Sequence, residues 1–131
     1  MSVRLQASIL YLTSALSLSG CAPASDRLQV IARKASPDGE REAVHARDMS
    51  GGATVGPSDE VYVVRRSVPI RSNNRVVGLE RICGMDMRWL ANDTLAVSYR
   101  AKRSQDNRAF LKPAVVNVRL RWLGRDVANG C

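Results

Sequence analysis

Apolar and polar residues alternate with a period of two along three successive segments in the C-terminal half of the chain. The apolar positions are Met85, Met87 and Trp89, then Leu95, Val97 and Tyr99, then Val116, Val118, Leu120 and Trp122. A period of two places successive side chains on opposite faces of a β-strand. Each segment is therefore predicted to be a strand with one buried face.

The loop between the first two of these strands follows from the requirement that Trp89 and Leu95 face the same side. Pairing Leu90 with Thr94 meets this requirement and leaves a three-residue loop at 91–93, where Asn or Asp supplies the left-handed residue. A two-residue loop would mix the apolar and polar faces, because a slip of one residue exchanges them. The three-residue loop is therefore expected.

The N-terminal half carries shorter strand and turn signals. Strands are predicted at 28–32, 42–47 and 60–64, a turn at Ser36-Pro37-Asp38-Gly39, an irregular loop at 49–58, and a hairpin at 67–81 around Asn73-Asn74. No segment has a 3.6-residue apolar repeat of helical length, although 105–111 is compatible with a short helix or turn. The sequence predicts an all-β fold, a small antiparallel meander of about five to seven strands, as one domain at 28–131.

The first 21 residues have the features of an export signal. Arg4 supplies a positive charge, the apolar stretch 7–18 is too short to span a bilayer, and small residues follow it. Leu18-Ser19-Gly20-Cys21 resembles the lipobox of bacterial lipoproteins, whose cysteine is lipidated before the preceding peptide is removed. We predict a signal peptide at 1–20, lipidation of Cys21 and a tether at 21–27. The alternative is an ordinary signal peptide with an incidental cysteine.

These features predict a lipid-anchored protein of the bacterial cell envelope. Ala22 follows the cysteine, and it lacks the Asp that resembles an inner-membrane retention signal. The periplasmic face of the outer membrane is therefore favoured, with the N-terminal lipid as the contact with the membrane. In that compartment nucleic acid is not an expected partner, whatever the basic charge of the chain.

The other two cysteines, Cys83 and Cys131, form an even pair in an oxidising setting. Removal of residues 1–20 leaves 111 residues, enough for one small domain with a thin core. A Cys83–Cys131 disulfide would close a loop of about 48 residues and stabilise the fold by about 3–4 kcal/mol. The competing interpretation makes Cys83 a metal ligand and leaves Cys131 free.

Arginine dominates the charge: the net charge is +8, and 17 of the 20 basic residues are Arg. Alternation places Arg88, Arg100, Arg119 and Arg121 opposite the apolar positions of their strands. On neighbouring strands they would share one surface able to attract an anionic envelope component or an acidic protein. The alternative is that these arginines only solvate the sheet and block edge-to-edge pairing.

The chain has a sulfur-rich segment and acidic segments whose side chains are candidates for metal and catalytic chemistry. The segment 83–87 holds one Cys and two Met, soft ligands that suit Cu(I), with His45 and Met49 as further candidates. The two Met residues fall on the apolar face of their strand, so no metal site and no cofactor is predicted. His45 is the only histidine, and the carboxylates at 58–60 flank a strand, where solvation is expected. No catalytic residues are predicted, and the protein is not expected to be an enzyme.

Three short motifs stand out along the chain: Ala35-Ser36-Pro37-Asp38-Gly39, the segment Gly52-Ala53-Thr54-Val55-Gly56-Pro57-Ser58, and the Trp-containing segment Met87-Arg88-Trp89 with its partner strand. Together they resemble a group of small bacterial lipoproteins that have no established activity. The resemblance implies a lipid-anchored β-rich domain, and it implies no catalytic or binding activity.

Two functional classes follow from these features. The first is a non-enzymatic interaction or structural module with a cationic sheet face. The second is a small periplasmic ligand- or metal-binding protein. The apolar face distinguishes them: continuous packing of Met85, Met87, Trp89, Tyr99 and Trp122 favours the first, and an open cavity lined by them favours the second.

Overall fold

The fold was obtained as a computed structural model, which describes residues 27–51, 54, 56–101, 109–112 and 114–125. Within these residues the strands are β1 (Leu28–Ala35), β2 (Arg41–Asp48), β3 (Ser58–Arg65), β4 (Arg75–Glu80), β5 (Gly84–Ala91), β6 (Thr94–Arg100), β7 (Ala109–Leu111), β8 (Ala114–Val115) and β9 (Val118–Arg125). Seven of these strands have six to eight residues, and a short 3-10 helix occupies Ser72–Asn74. The predicted all-β class is confirmed. The described part of the chain contains no helix of the length and apolar character that crossing a bilayer requires.

The strands form two sheets that pack on each other. Sheet A has the order β1-β2-β3-β4-β7 and is antiparallel, and sheet B has the order β5-β6-β9-β8. The predicted simple meander is wrong in one respect, because β6 and β9 pair in parallel. Between these two strands the chain crosses to sheet A as β7, which pairs with β4, and returns to sheet B as β8. Because β8 is antiparallel to β9, it runs opposite to β6, and β9 then runs in the direction of β6.

The main core lies between the two sheets. Its buried side chains come from both: Val61, Val63, Val76, Val77 and Leu79 with Ala43 in sheet A, and Met87, Leu95, Val97 and Val118 in sheet B. Met85, Trp89 and Tyr99 are partly buried against this cluster, whereas the side chain of Trp122 lies outside the described residues. The apolar alternation of β5 and β6 therefore marks the buried face, as the sequence predicts, with Met87 in the core and Met85, Trp89 and Tyr99 packed against it.

The β5–β6 hairpin has the predicted facing but not the predicted loop. Trp89 lies opposite Leu95, whereas Ala91 pairs with Thr94 across a two-residue turn. The expected three-residue loop is wrong because the register shifts between Trp89 and Ala91, so that Leu90 forms a β-bulge. The inserted residue keeps both aromatic and aliphatic side chains on the core face.

Two local predictions in the connections have different outcomes. The turn at 36–39 forms between β1 and β2: Gly39 has φ +73°, and its N–H donates to the carbonyl of Ser36 at 2.8 Å. The hairpin expected at 67–81 is wrong, because β4 pairs with β3 and the preceding residues carry only the 3-10 helix. Asn73-Asn74 belongs to that helix.

Strand β3 is buried on both faces, which explains its consecutive valines. Tyr62 and Val64 pack with Val44 and Ala46 on the outer face of sheet A, where Leu28 and Ile70 contribute to a second small cluster. Ile70 belongs to the connection between β3 and β4. This connection therefore packs against the centre of sheet A from the side opposite sheet B.

Candidate functional site

The four arginines singled out in the sequence lie on the outer face of sheet B, and we call them the arginine face: Arg88, Arg100, Arg119 and Arg121. Arg88 and Arg121 both lie beside Ala96, one on each neighbouring strand, and Arg119 lies beside Thr94. All four are exposed, whereas Ala96 between two of them is only 2% exposed. Adjacent strands lie about 4.8 Å apart, so the backbones of β5 and β9 are separated by about 10 Å.

Among the residues that the structure describes, one arginine of the arginine face has an acidic partner. Arg119 donates to Asp93 at 3.2 Å. A hydrogen bond from Thr94, followed by the charge of Arg119, holds the pKa of Asp93 below its ordinary value despite partial desolvation. Within the described part of the chain, Arg88, Arg100 and Arg121 form no ion pair. Their guanidinium groups are therefore available for phosphate or carboxylate oxygens.

Neighbouring residues determine how close Arg100 lies to the sheet. It is paired with Gly84 across the strands, and a Cβ at Gly84 would lie 2.5 Å from the Nη2 atom of Arg100. The missing side chain at Gly84 therefore lets the guanidinium of Arg100 lie close to β5. The acid on the same face, Asp86, is bound by Lys34 of β1 at 3.2 Å. These contacts leave the face with an excess of positive charge.

The cysteine predictions are only partly within the described residues. Cys83, just before β5, is disulfide-bonded, and its N–H donates to the carbonyl of Arg100 at 3.0 Å. Cys21 and Cys131 lie outside the described residues, as do the signal segment and most of the tether. The Cys83–Cys131 pairing and the lipidation of Cys21 therefore stay predictions. A sulfur in a disulfide offers no thiolate to a metal.

The expectation that the carboxylates before Val61 are solvated is wrong. Asp59 is 3% exposed and lies between the sheets, where its Oδ1 lies 2.7 Å from His45 Nε2. Arg47 Nη2 donates to both carboxylate oxygens, at 3.1 and 3.2 Å. Burial raises the pKa of Asp59, but the hydrogen bonds from His45 and Arg47 outweigh it and leave the pKa below the ordinary 3.8.

Glu60 is buried on the opposite face of the same strand. It is 3% exposed, and its Oε2 accepts a hydrogen bond from the Tyr62 hydroxyl. Arg75 Nη1 of β4 donates to the other oxygen, Oε1, at 2.5 Å. Burial, and secondly the hydrogen bond to Glu60, raise the pKa of Tyr62 well above its ordinary value of 10.0. A cavity of about 280 Å³ adjoins this group.

One sequence signal could have indicated the buried charged groups around Asp59 and Glu60. Asp59 and Glu60 open a strand in which Val61, Val63 and Val64 follow without alternation, a pattern typical of strands buried on both faces. Consecutive side chains of such a strand point to opposite faces, so neither carboxylate reaches solvent directly. Tyr62, a partner of Glu60, is on the same strand, but His45, Arg47 and Arg75 lie on other strands and were not indicated by spacing.

Comparison with known proteins does not identify this fold or its function. No family model, no curated protein and no solved structure matches the chain.

Proposed function

We propose that this protein is a lipid-anchored cell-envelope protein that acts as a non-enzymatic interaction module, binding an anionic partner through the arginine face. The observation that carries the proposal is the exposure of Arg88, Arg100 and Arg121 on one sheet face, without an acidic partner in the described part of the chain. Planar guanidinium groups on a rigid sheet suit oxygen pairs of phosphate or carboxylate groups.

Anchoring at Cys21 would strengthen this mode of binding. A tether of a few residues keeps the domain close to the membrane and raises its effective concentration near anionic envelope components. A lipid chain and a basic surface together also hold a protein at a membrane better than either does alone. The partner is therefore expected among lipid phosphates, anionic glycans or acidic proteins of the envelope.

The proposal is tested with the purified lipidated protein in a neutral detergent, using immobilised heparin as a polyanionic probe. Arg88→Gln with Arg121→Gln removes two charges that flank Ala96 and form no ion pair in the described residues. We expect roughly tenfold weaker binding at low salt, equivalent to about 1.4 kcal/mol. The difference should shrink towards physiological salt, where the Debye length falls to about 8 Å.

The matched control is Arg65→Gln with Arg66→Gln, which removes the same charge from exposed positions at the end of β3. The control should retain the parent affinity. If both double variants lose affinity equally, binding depends only on net charge and the arginine face has no specific role. Crosslinking in intact membranes with the parent and the Arg88/Arg121 variant then identifies the natural partner.

A further inference from the structure

A second candidate site lies on the outer face of sheet A, away from the arginine face. The cavity of about 280 Å³ is bordered by Asp48 at the end of β2, Glu60 and Tyr62 of β3, and Arg75 of β4. Arg27 and Arg71 border it from the segments before β1 and before the 3-10 helix. Charged groups of both signs therefore converge on one small pocket, which is a typical feature of ligand sites.

The buried side chain of Glu60 is held in a fixed position beside this pocket. Both of its oxygens are engaged, one by Tyr62 and one by Arg75, and the side chain is 4% exposed whereas that of Arg75 is 36% exposed. A buried ion pair is a costly way to stabilise a sheet face that otherwise packs Val44, Ala46 and Val64. The same pair holds Arg75 and the Tyr62 hydroxyl in place before a ligand arrives, which lowers the entropic cost of binding.

The charges of the pocket favour a ligand with one negative charge. Three arginines face two carboxylates, which leaves an excess of one positive charge. Glu60 is neutralised by Arg75, and Asp48 accepts the N–H of Ser50 at 2.8 Å. In the residues that the structure describes, neither Arg27 nor Arg71 forms an ion pair.

The volume of the pocket and its lining residues indicate which class of ligand fits it. The volume lies just below the ~300–1,000 Å³ typical of pockets for drug-sized molecules, so the ligand is small. Leu28 and Ile70 supply apolar surface, and the Ser72 hydroxyl and the Asp48 carboxylate can hydrogen-bond to hydroxyl groups. A ring with hydroxyl groups, an apolar C–H face and one carboxylate combines these features.

We propose that this pocket binds a small hydroxylated monocarboxylate of sugar-acid size, with its carboxylate on Arg71 and Arg75 and its hydroxyl groups towards Asp48 and Ser72. The site is independent of the arginine face, so its test does not depend on the proposed function.

The probe is glucuronate, titrated into the purified full-length protein by isothermal titration calorimetry. For a ligand of this size, saturable binding with a Kd of about 1 mM or tighter is expected. Arg71→Gln should weaken binding roughly tenfold. Arg66→Gln, an exposed arginine of the same connection outside the pocket, should leave the Kd unchanged. Tyr62→Phe keeps the ring and should also weaken binding, since it removes a hydroxyl that orients Glu60.

Ligand controls separate the carboxylate from other sources of binding. The uncharged methyl ester of glucuronate should bind at least tenfold more weakly than glucuronate, and inorganic phosphate should also bind more weakly. The proposal is overturned if glucuronate shows no saturable binding, if the methyl ester binds as well, or if Arg66→Gln weakens binding as much as Arg71→Gln. Tighter binding of phosphate would overturn the carboxylate assignment.

Discussion

A charged side chain is buried and paired on the outer face of sheet A, whereas charged side chains are exposed on the outer face of sheet B. On sheet A, Glu60 is buried and paired with Arg75 beneath the connection between β3 and β4. On sheet B, Arg88 and Arg121 are exposed on either side of a small residue, Ala96. The first arrangement fixes geometry at the cost of desolvation, and the second leaves charge accessible at little cost in stability.

The neighbouring side chains explain this difference. The centre of sheet A carries Tyr62 and Val64 on its outer face, and Ile70 packs against them. A charged group there is shielded from water and is stable only when it is paired. The centre of sheet B carries Ala96 and Ser98 on its outer face, which are too short to cover the arginines of the strands beside them. A charged residue in a strand therefore has a different role depending on what covers its face.

The largest expected effect concerns the buried pair of sheet A. Glu60→Ala leaves Arg75 without its carboxylate and should lower the free energy of unfolding by about 3 kcal/mol, measured by urea denaturation. This value is at the lower end of the range for broken buried pairs, because the Arg75 side chain is 36% exposed and can be solvated. Joint replacement, Glu60→Met with Arg75→Leu, should recover most of the loss. A loss below about 0.5 kcal/mol for Glu60→Ala would show that the pair behaves like a surface ion pair.

A smaller effect is expected for the buried carboxylate between the sheets. Asp59→Asn weakens charge-assisted hydrogen bonds from His45 and Arg47 and should cost about 2 kcal/mol at neutral pH. The folded-state pKa of Asp59 lies below its ordinary 3.8, so its stabilising contribution is complete above that value. The contribution is lost as the pH falls through the folded-state pKa.

The pH dependence separates this interpretation from a simple packing defect. The difference in unfolding free energy between the parent protein and Asp59→Asn should shrink below about pH 4, because Asp59 of the unfolded parent chain then binds a proton before the folded protein does. Urea titrations at several pH values measure it. A difference that stays constant down to pH 2 would contradict the assignment of a lowered pKa to Asp59.

The sequence predicts which side of a strand is buried better than it predicts which strands pair with each other. The alternation around Met87 and Leu95 identified the buried side of β5 and β6 correctly, because a period of two assigns each side chain to a face. The parallel pairing of β6 with β9 depends instead on β7 and β8, strands of three and two residues that lie between them in the chain. Segments that short have too few residues for a periodic signal.

The same limit applies to the candidate sites. The common face of Arg88 and Arg121 could be predicted, since each strand carries its own alternation. The pairing of Glu60 with Arg75 could not, because it depends on the register of β3 with β4, which shifts between Val61 and Tyr62. The bulge at Leu90 has the same origin: an inserted residue changes the loop but leaves the facing of Trp89 intact.

The smallest expected effect is on the arginine face, and it completes the comparison between the sheets. Arg88→Gln with Arg121→Gln should change the free energy of unfolding by less than about 0.5 kcal/mol, because both side chains are exposed and form no ion pair in the described residues. Urea denaturation of this variant, beside the Arg65/Arg66 control, measures the change. Ala96 is covered between these two positions, and the two methylenes of each Gln continue to shield it in part. A loss above about 2 kcal/mol would mean that the arginines hold the sheet together, and weaker heparin binding could then no longer be assigned to a lost contact with the partner.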